Sequence, residues 1–183
     1  MSPSSSKPPR LILGIDPGSS VTGYGLLRMT GSFVEAVDFG ILKPPRSGPT
    51  LPSRLAGLFS LLEALLERLR PDIAVVEGVF AHRNVRSALT LAHARGVVLL
   101  AVERAGVPLR EVAPRLVKQT ATGSGGAGKD QVAAMVRREL RLGDGRLILD
   151  ATDALAVALC EARGAGFREA VEAASAGGGG RRP

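Results

Sequence analysis

Four carboxylates stand where the surrounding sequence is apolar. Asp16 closes the aliphatic run "LILGID" and is followed by Pro17 and Gly18, Glu77 closes "IAVVE", and Asp150 and Asp153 begin "DATDALAVALC". A spacing of three residues puts Asp150 and Asp153 on one face of a helix. Carboxylates brought together cannot all stay ionised without compensation, because like charges a few ångström apart raise one another's pKa. A hard divalent cation, Mg²⁺ or Mn²⁺, resolves that conflict, since it prefers oxygen ligands. Two such ions about 4 Å apart clamp the attacking and leaving oxygens of a phosphodiester in an in-line displacement, so phosphodiester hydrolysis is the chemistry indicated. Taken singly, Asp16 before Pro-Gly is explained by a turn and Asp150 by a helix N-cap. Together with Glu77 after four apolar residues and Asp153 inside a helix beside small apolar ones, they favour a shared metal site.

The elements that must position these acids read as a mixed α/β domain. Leu11 to Asp16, "TGYGLLRM" and "SFVEAVDFGILK" are three successive strands joined by short turns, hence an antiparallel meander. After the loop "PPRSGPTLPS", leucines from Leu55 to Leu69 recur at helical spacing until Pro71. "DIAVVEGV" then forms a strand that a helical crossover lays parallel to the first, placing Asp16 and Glu77 at the same sheet edge. A helix over about Val85 to Arg104, a strand around "PLREVA", and helices near Pro114 to Thr120, Lys129 to Leu142 and Asp150 to Ala162 complete the order. The expected fold is a five-stranded mixed sheet, a three-strand antiparallel meander plus two parallel strands, flanked by helices. Residues 1–10 and 166–183 are low-complexity and are expected to be disordered, leaving 11–165 as the working domain.

With 183 residues, 45% of them hydrophobic, the chain suits one domain with a full core. No apolar run approaches the roughly 18 residues of a membrane span and no signal-peptide core opens the chain, so a cytoplasmic protein without a membrane partner is expected. The single cysteine, Cys160 within "ALAVALC", excludes a disulfide framework and a cysteine metal site and reads as a buried thiol. The formal net charge is +7. It is concentrated in residues 82–129, which carry eight basic and two acidic residues. A basic stretch of that kind is the footprint of a polyanion partner, and nucleic acid is favoured.

The ordered series "ILGIDPGSSVTGYG", "VVEGVF", "NVRSALTLAHARGV", "VKQT" with a following glycine loop and Lys129, and "DATDALAVA" resembles the RuvC family of bacterial Holliday-junction resolvases over roughly residues 11–163. The resemblance implies a ribonuclease H-like fold, a homodimer, and Mg²⁺- or Mn²⁺-dependent paired nicking of four-way DNA junctions, with two ions per site. By position, the family's metal-binding acids fall on Asp16, Glu77, Asp150 and Asp153, and its DNA-contacting lysines on Lys118 and Lys129. The family's aromatic residue that stacks on an unpaired base near the crossover falls on Phe80, where an ordinary core role is the alternative. His82 and Arg83 are candidate phosphate contacts or simply keep a loop soluble. Arg86 and Arg95 add to the basic stretch, or cover apolar neighbours as surface arginines do. The helix bearing them is where the family dimerises, and the RuvA–RuvB branch-migration complex is the implied partner.

"GSGGAGKD" spells a nucleotide-binding P-loop except at its last residue. Asp130 stands where Ser or Thr would hold Mg²⁺, and no apolar strand leads into the glycines, so ATP binding is rejected. A glycine loop entering a helix N-terminus beside a lysine still suits a phosphate of a DNA backbone. A sugar-kinase or actin-like ATPase also opens on a strand ending in Asp-x-Gly, but that architecture needs a duplicated domain for which this chain has no room. A non-catalytic junction-binding module and a ribonuclease H-like RNA-processing nuclease are the remaining alternatives.

Overall fold

The computed structural model describes residues 8–18, 20–44, 50–78, 85–143 and 149–177, with side chains of the last segment described through Ala165. Strands β1 (Arg10–Asp16), β2 (Thr22–Thr30), β3 (Phe33–Leu42), β4 (Ile73–Glu77) and β5 (Leu109–Val112) form one sheet in the order β3-β2-β1-β4-β5. The β1–β2 and β2–β3 pairs are antiparallel, and β1–β4 and β4–β5 are parallel. This is the mixed sheet expected from the sequence. Helices α1 (Leu51–Leu69) and α2 (Val85–Arg104) cover one face, while α3 (Pro114–Thr122), α4 (Lys129–Glu139) and α5 (Leu149–Gly177) cover the other.

Side chains alternate across a strand, and the two cores show which way each residue points. Leu13 and Ile15 of β1 and Ala74 and Val76 of β4 pack with α1 and α2. Ile12, Ile73 and Val75 pack with α5. Asp16 shares the parity of Ile12, and Glu77 that of Ile73 and Val75. Both carboxylates therefore fall on the α5 face, where Asp150 and Asp153 begin their helix.

Helix α1 starts within the segment expected to be loop. Thr50 caps it, its hydroxyl accepting from the Ser53 N–H, and Pro52 fits the first turn, where its missing N–H has no intrahelical acceptor to lose. The helix ends at Arg70, left-handed with φ 43°, immediately before Pro71. Contrary to the expectation that no apolar run reaches membrane-spanning length, α2 is long and apolar enough to do so by length and composition. In the fold Ala94, Val98, Ala101 and Val102 of α2 are buried in the core, and so is Arg95. Residues 166–177, expected to be disordered, continue α5 to Gly177, in keeping with the strong helix propensity of "REAVEAA". At the other end Arg10, within the segment 1–10 expected to be disordered, begins β1 opposite Met29 of β2, while 1–7 and 178–183 lie outside the described residues.

The approach of α5 to the sheet depends on glycine. A Cβ on Gly14 would stand 2.0 Å from the Ala154 carbonyl oxygen and 2.7 Å from the Ala158 nitrogen. One on Gly23, the ladder partner of Asp16, would stand 2.0 Å from the carbonyl oxygen of Asp150. These contacts are with backbone, which cannot swing aside. We expect Gly14→Ala to push α5 off β1, lowering stability by about 1–3 kcal/mol and cleavage with it. Urea unfolding measured beside activity checks this, and unchanged stability would contradict the close packing.

Candidate active site

The β1–β4 ladder pairs Ile15 with Val76, and Asp16 and Glu77 stand one residue further along each strand. Beyond Asp16 the chain turns through Pro17 and Gly18, and the buried Thr22 closes the turn. Its hydroxyl donates to the Gly18 carbonyl at 2.8 Å and accepts from the Gly18 N–H at 3.2 Å. Strand β1 is thus held at its end, with Asp16 at the mouth of the turn.

Asp16, Glu77 and Asp153 line a single cavity of about 80 Å³ together with Lys118 and Lys129. Val117, Val132, Ala156 and Val157 form its apolar wall. Asp150 does not line the cavity, but its charge reaches Asp16. Lys129, at the start of α4, places its Nζ 3.1 Å from Asp153 Oδ2. Helix α4 follows a loop that leaves α3 at the left-handed Gly123, so no strand enters the glycines, in accord with rejecting a nucleotide loop.

The electrostatics show how crowded the acids are. The Asp16 carboxyl is pushed up to about 7, first by burial, then by Asp153 and Glu77, with Asp150 adding a smaller push and Lys129 opposing it. Glu77 is raised for the same reasons, burial and then Asp153, against Lys129 and Lys118. Lys129 in turn holds its proton more firmly, chiefly through its hydrogen bond to Asp153. Hard oxygen donors that lack enough positive charge are the donor set that suits a divalent cation. Among the described residues no three acidic, histidine or cysteine side chains are grouped closely enough to hold one ion, and Lys129 supplies the positive charge at Asp153.

The other candidates separate. Phe80, His82 and Arg83 lie outside the described residues. Arg86 is exposed near the start of α2, beside a shallow depression with Ser87, Thr90 and Leu91. Arg95 is not a surface arginine: it is 8% exposed, because its guanidinium bonds the main-chain carbonyl of Glu77 and Glu111 of β5. Cys160 is buried, as expected, and Thr120 donates to its Sγ at 3.6 Å. Sequence reasoning passed over Glu161, which is buried on α5 and paired with Arg110 of β5 at 3.2 Å. Its only signal was an acid following "ALAVALC".

The family model for the crossover junction endodeoxyribonuclease RuvC matches residues 12–161, a span that contains all four acids and both lysines. The chain belongs to the RuvC family. The RuvC of Chloroflexus aggregans is 47% identical over 150 residues, 82% of this chain and 91% of that protein. The RuvC of Myxococcus xanthus is 49% identical over 172 residues, 91% of this chain and 86% of that one. A solved structure of T. thermophilus RuvC in complex with a Holliday junction substrate aligns with a TM-score of 0.79 at 32% identity, covering 87% of this chain and 96% of that one. The ribonuclease H-like fold expected from the resemblance is therefore the fold of this RuvC-family chain, and the cavity between β1, β4 and α5 lies within the family's matched region.

Proposed function

We propose that this chain resolves four-way (Holliday) DNA junctions by paired symmetric nicks, in recombination and DNA repair in the cytoplasm. The observation that carries this reading is the cavity where Asp16, Glu77 and Asp153 meet Lys118 and Lys129. Asp16, Glu77, Asp150 and Asp153 are the residues that would hold Mg²⁺ or Mn²⁺, two ions per site. When bound, the metal supplies the charge that neutralises these carboxylates and favours attack by water on a phosphodiester. Lys118 and Lys129, on α3 and α4, draw the scissile phosphate toward the acids and offset its charge. The apolar wall limits the water reaching the phosphorus. Water adds its oxygen to phosphorus, the bond from phosphorus to O3′ breaks, and O3′ takes up a proton. The products are a 5′-phosphate and a 3′-hydroxyl, ends that a ligase can join.

Two cuts related by symmetry require two sites related by symmetry. Val85, Leu89 and Leu100 are 72%, 57% and 54% exposed on α2. Their spacing puts all three on one side of the helix, which supports a homodimer formed through it. Phe80 is proposed to stack on a base, His82, Arg83 and Arg86 to meet the backbone, and the RuvA–RuvB complex to deliver the junction.

Incubating the full chain with a four-way junction, a linear duplex and a structured RNA in Mg²⁺ and in Mn²⁺ tests the reading. We expect cleavage of the junction at paired positions and little of the others. Preferred cleavage of RNA would favour an RNA-processing nuclease, and junction binding without metal-dependent cutting would favour a non-catalytic module.

A further inference from the structure

We infer that Arg95 is a positioning residue for Glu77, setting the affinity of the acid cluster for its divalent ion from the opposite side of the sheet. The inference rests on Glu77 being a metal ligand, as proposed above. Helix α2 packs on the face of the sheet away from the acids, yet it sends a guanidinium to the end of β4. Nη1 of Arg95 donates to the main-chain carbonyl of Glu77, and Nη2 lies 2.7 Å from Glu111 Oε2 on β5. The side chain is only 10% exposed. A buried guanidinium is costly to desolvate unless its donors are used, so this placement is specific.

The need for such a clamp follows from where Glu77 stands. The β1–β4 ladder ends at Val76, one residue short of it. On the other side, Glu77 is registered with Val112, whose carbonyl accepts from the Gly78 N–H at 2.7 Å. Arg95 completes this fixation by joining the last carbonyl of β4 to Glu111, the neighbour of Val112. Glu77 also feels repulsion from Asp153, which favours its moving away from the cluster. A planar fork with separate donors can serve both partners at once, whereas an ammonium serves them less well and a thioether serves neither.

The test uses the full-length protein and Mn²⁺ as probe, with Arg95→Met, Arg95→Lys and Glu77→Gln. Mn²⁺ binding is measured directly by calorimetry, alongside thermal melting, junction binding in EDTA, and cleavage as a function of Mn²⁺. We expect Arg95→Met to weaken Mn²⁺ binding about 10-fold or more, as loss of a group orienting a metal ligand does. Junction affinity should stay within about twofold, and cleavage should recover toward wild type at saturating Mn²⁺. Arg95→Lys should fall between the two. Wild-type Mn²⁺ affinity in Arg95→Met, with Glu77→Gln weakened, would overturn the role of Arg95 alone. Unchanged Mn²⁺ affinity in Glu77→Gln would instead remove the reading of Glu77 on which it rests. Should Arg95→Met lose its cooperative melt, Arg95→Lys decides: unchanged affinity in that variant overturns the inference.

Discussion

Asp16→Asn is expected to leave four-way junction binding intact and to lower its cleavage by at least about 10³-fold, the order seen when a group acting at the reacting centre is removed. Asn preserves the size of Asp and one oxygen but carries no charge. The turn after β1 should survive, because it is closed by Thr22 and Gly18 rather than by the Asp16 side chain. Arg86, Lys118 and Lys129, proposed to hold DNA, lie on α2, α3 and α4, so binding should persist. A gel-shift titration in EDTA and a single-turnover cleavage assay separate the two effects. Cleavage at the wild-type rate would sink the assignment of Asp16 to the metal site.

The same substitution should stabilise the metal-free protein at neutral and alkaline pH. In the folded chain the Asp16 carboxyl is pushed up to about 7, from an ordinary 3.8. Below about pH 4 both folded and unfolded chains hold this proton, and the crowding costs nothing. As pH rises toward 7 the unfolded chain ionises first, so stability falls through that window and levels off above it. The loss amounts to about 4 kcal/mol by pH 8. Glu77, raised for the same reasons, acts in the same direction. The raised pKa of Lys129 also makes stability fall with rising pH, but only above the ordinary lysine value of 10.5, outside this window. Asp16→Asn should therefore gain about 4 kcal/mol at pH 8 and well under about 1 kcal/mol at pH 4. Urea unfolding in EDTA at pH 4, 6 and 8 measures the difference. Equal pH slopes in the two proteins would show that Asp16 ionises freely. If the folded cluster holds the ion as proposed, added Mn²⁺ should stabilise wild type more than the variant.

That one substitution should both stabilise the chain and silence it reflects how the site is made. The fold holds acids near one another in partial burial, at a cost in stability, and the proposed reason for keeping that arrangement is that it holds a cation. Lys129 offsets part of the cost through its contact with Asp153. Gly14 and Gly23 serve the same end differently, allowing α5 to approach the strands closely enough to bring its acids to Asp16.

Much of this was legible in the residues themselves. Aliphatic runs ending in Asp16 and Glu77, helical spacing at Asp150 and Asp153, and the order of elements carry local information, and local information is what periodicity and turn chemistry encode. The start of α1 was legible too, in Thr50 and Pro52, but was hidden by prolines that resemble a loop. Composition read "REAVEAA" together with its glycine-rich neighbours and so missed a helical continuation. What only the tertiary structure decided concerns residues far apart in sequence. Arg95 looks like any arginine of a basic stretch until α2 is laid against β4 and β5, when burial obliges its donors to find Glu77 and Glu111. Likewise, which lysines face the acids depends on how α3 and α4 pack beside α5, and that packing places Lys118 and Lys129 in the cavity. The sequence alone determined which residues have the chemistry. Tertiary structure decided which share a space, because a charge a few ångström away counts according to distance and burial rather than separation along the chain.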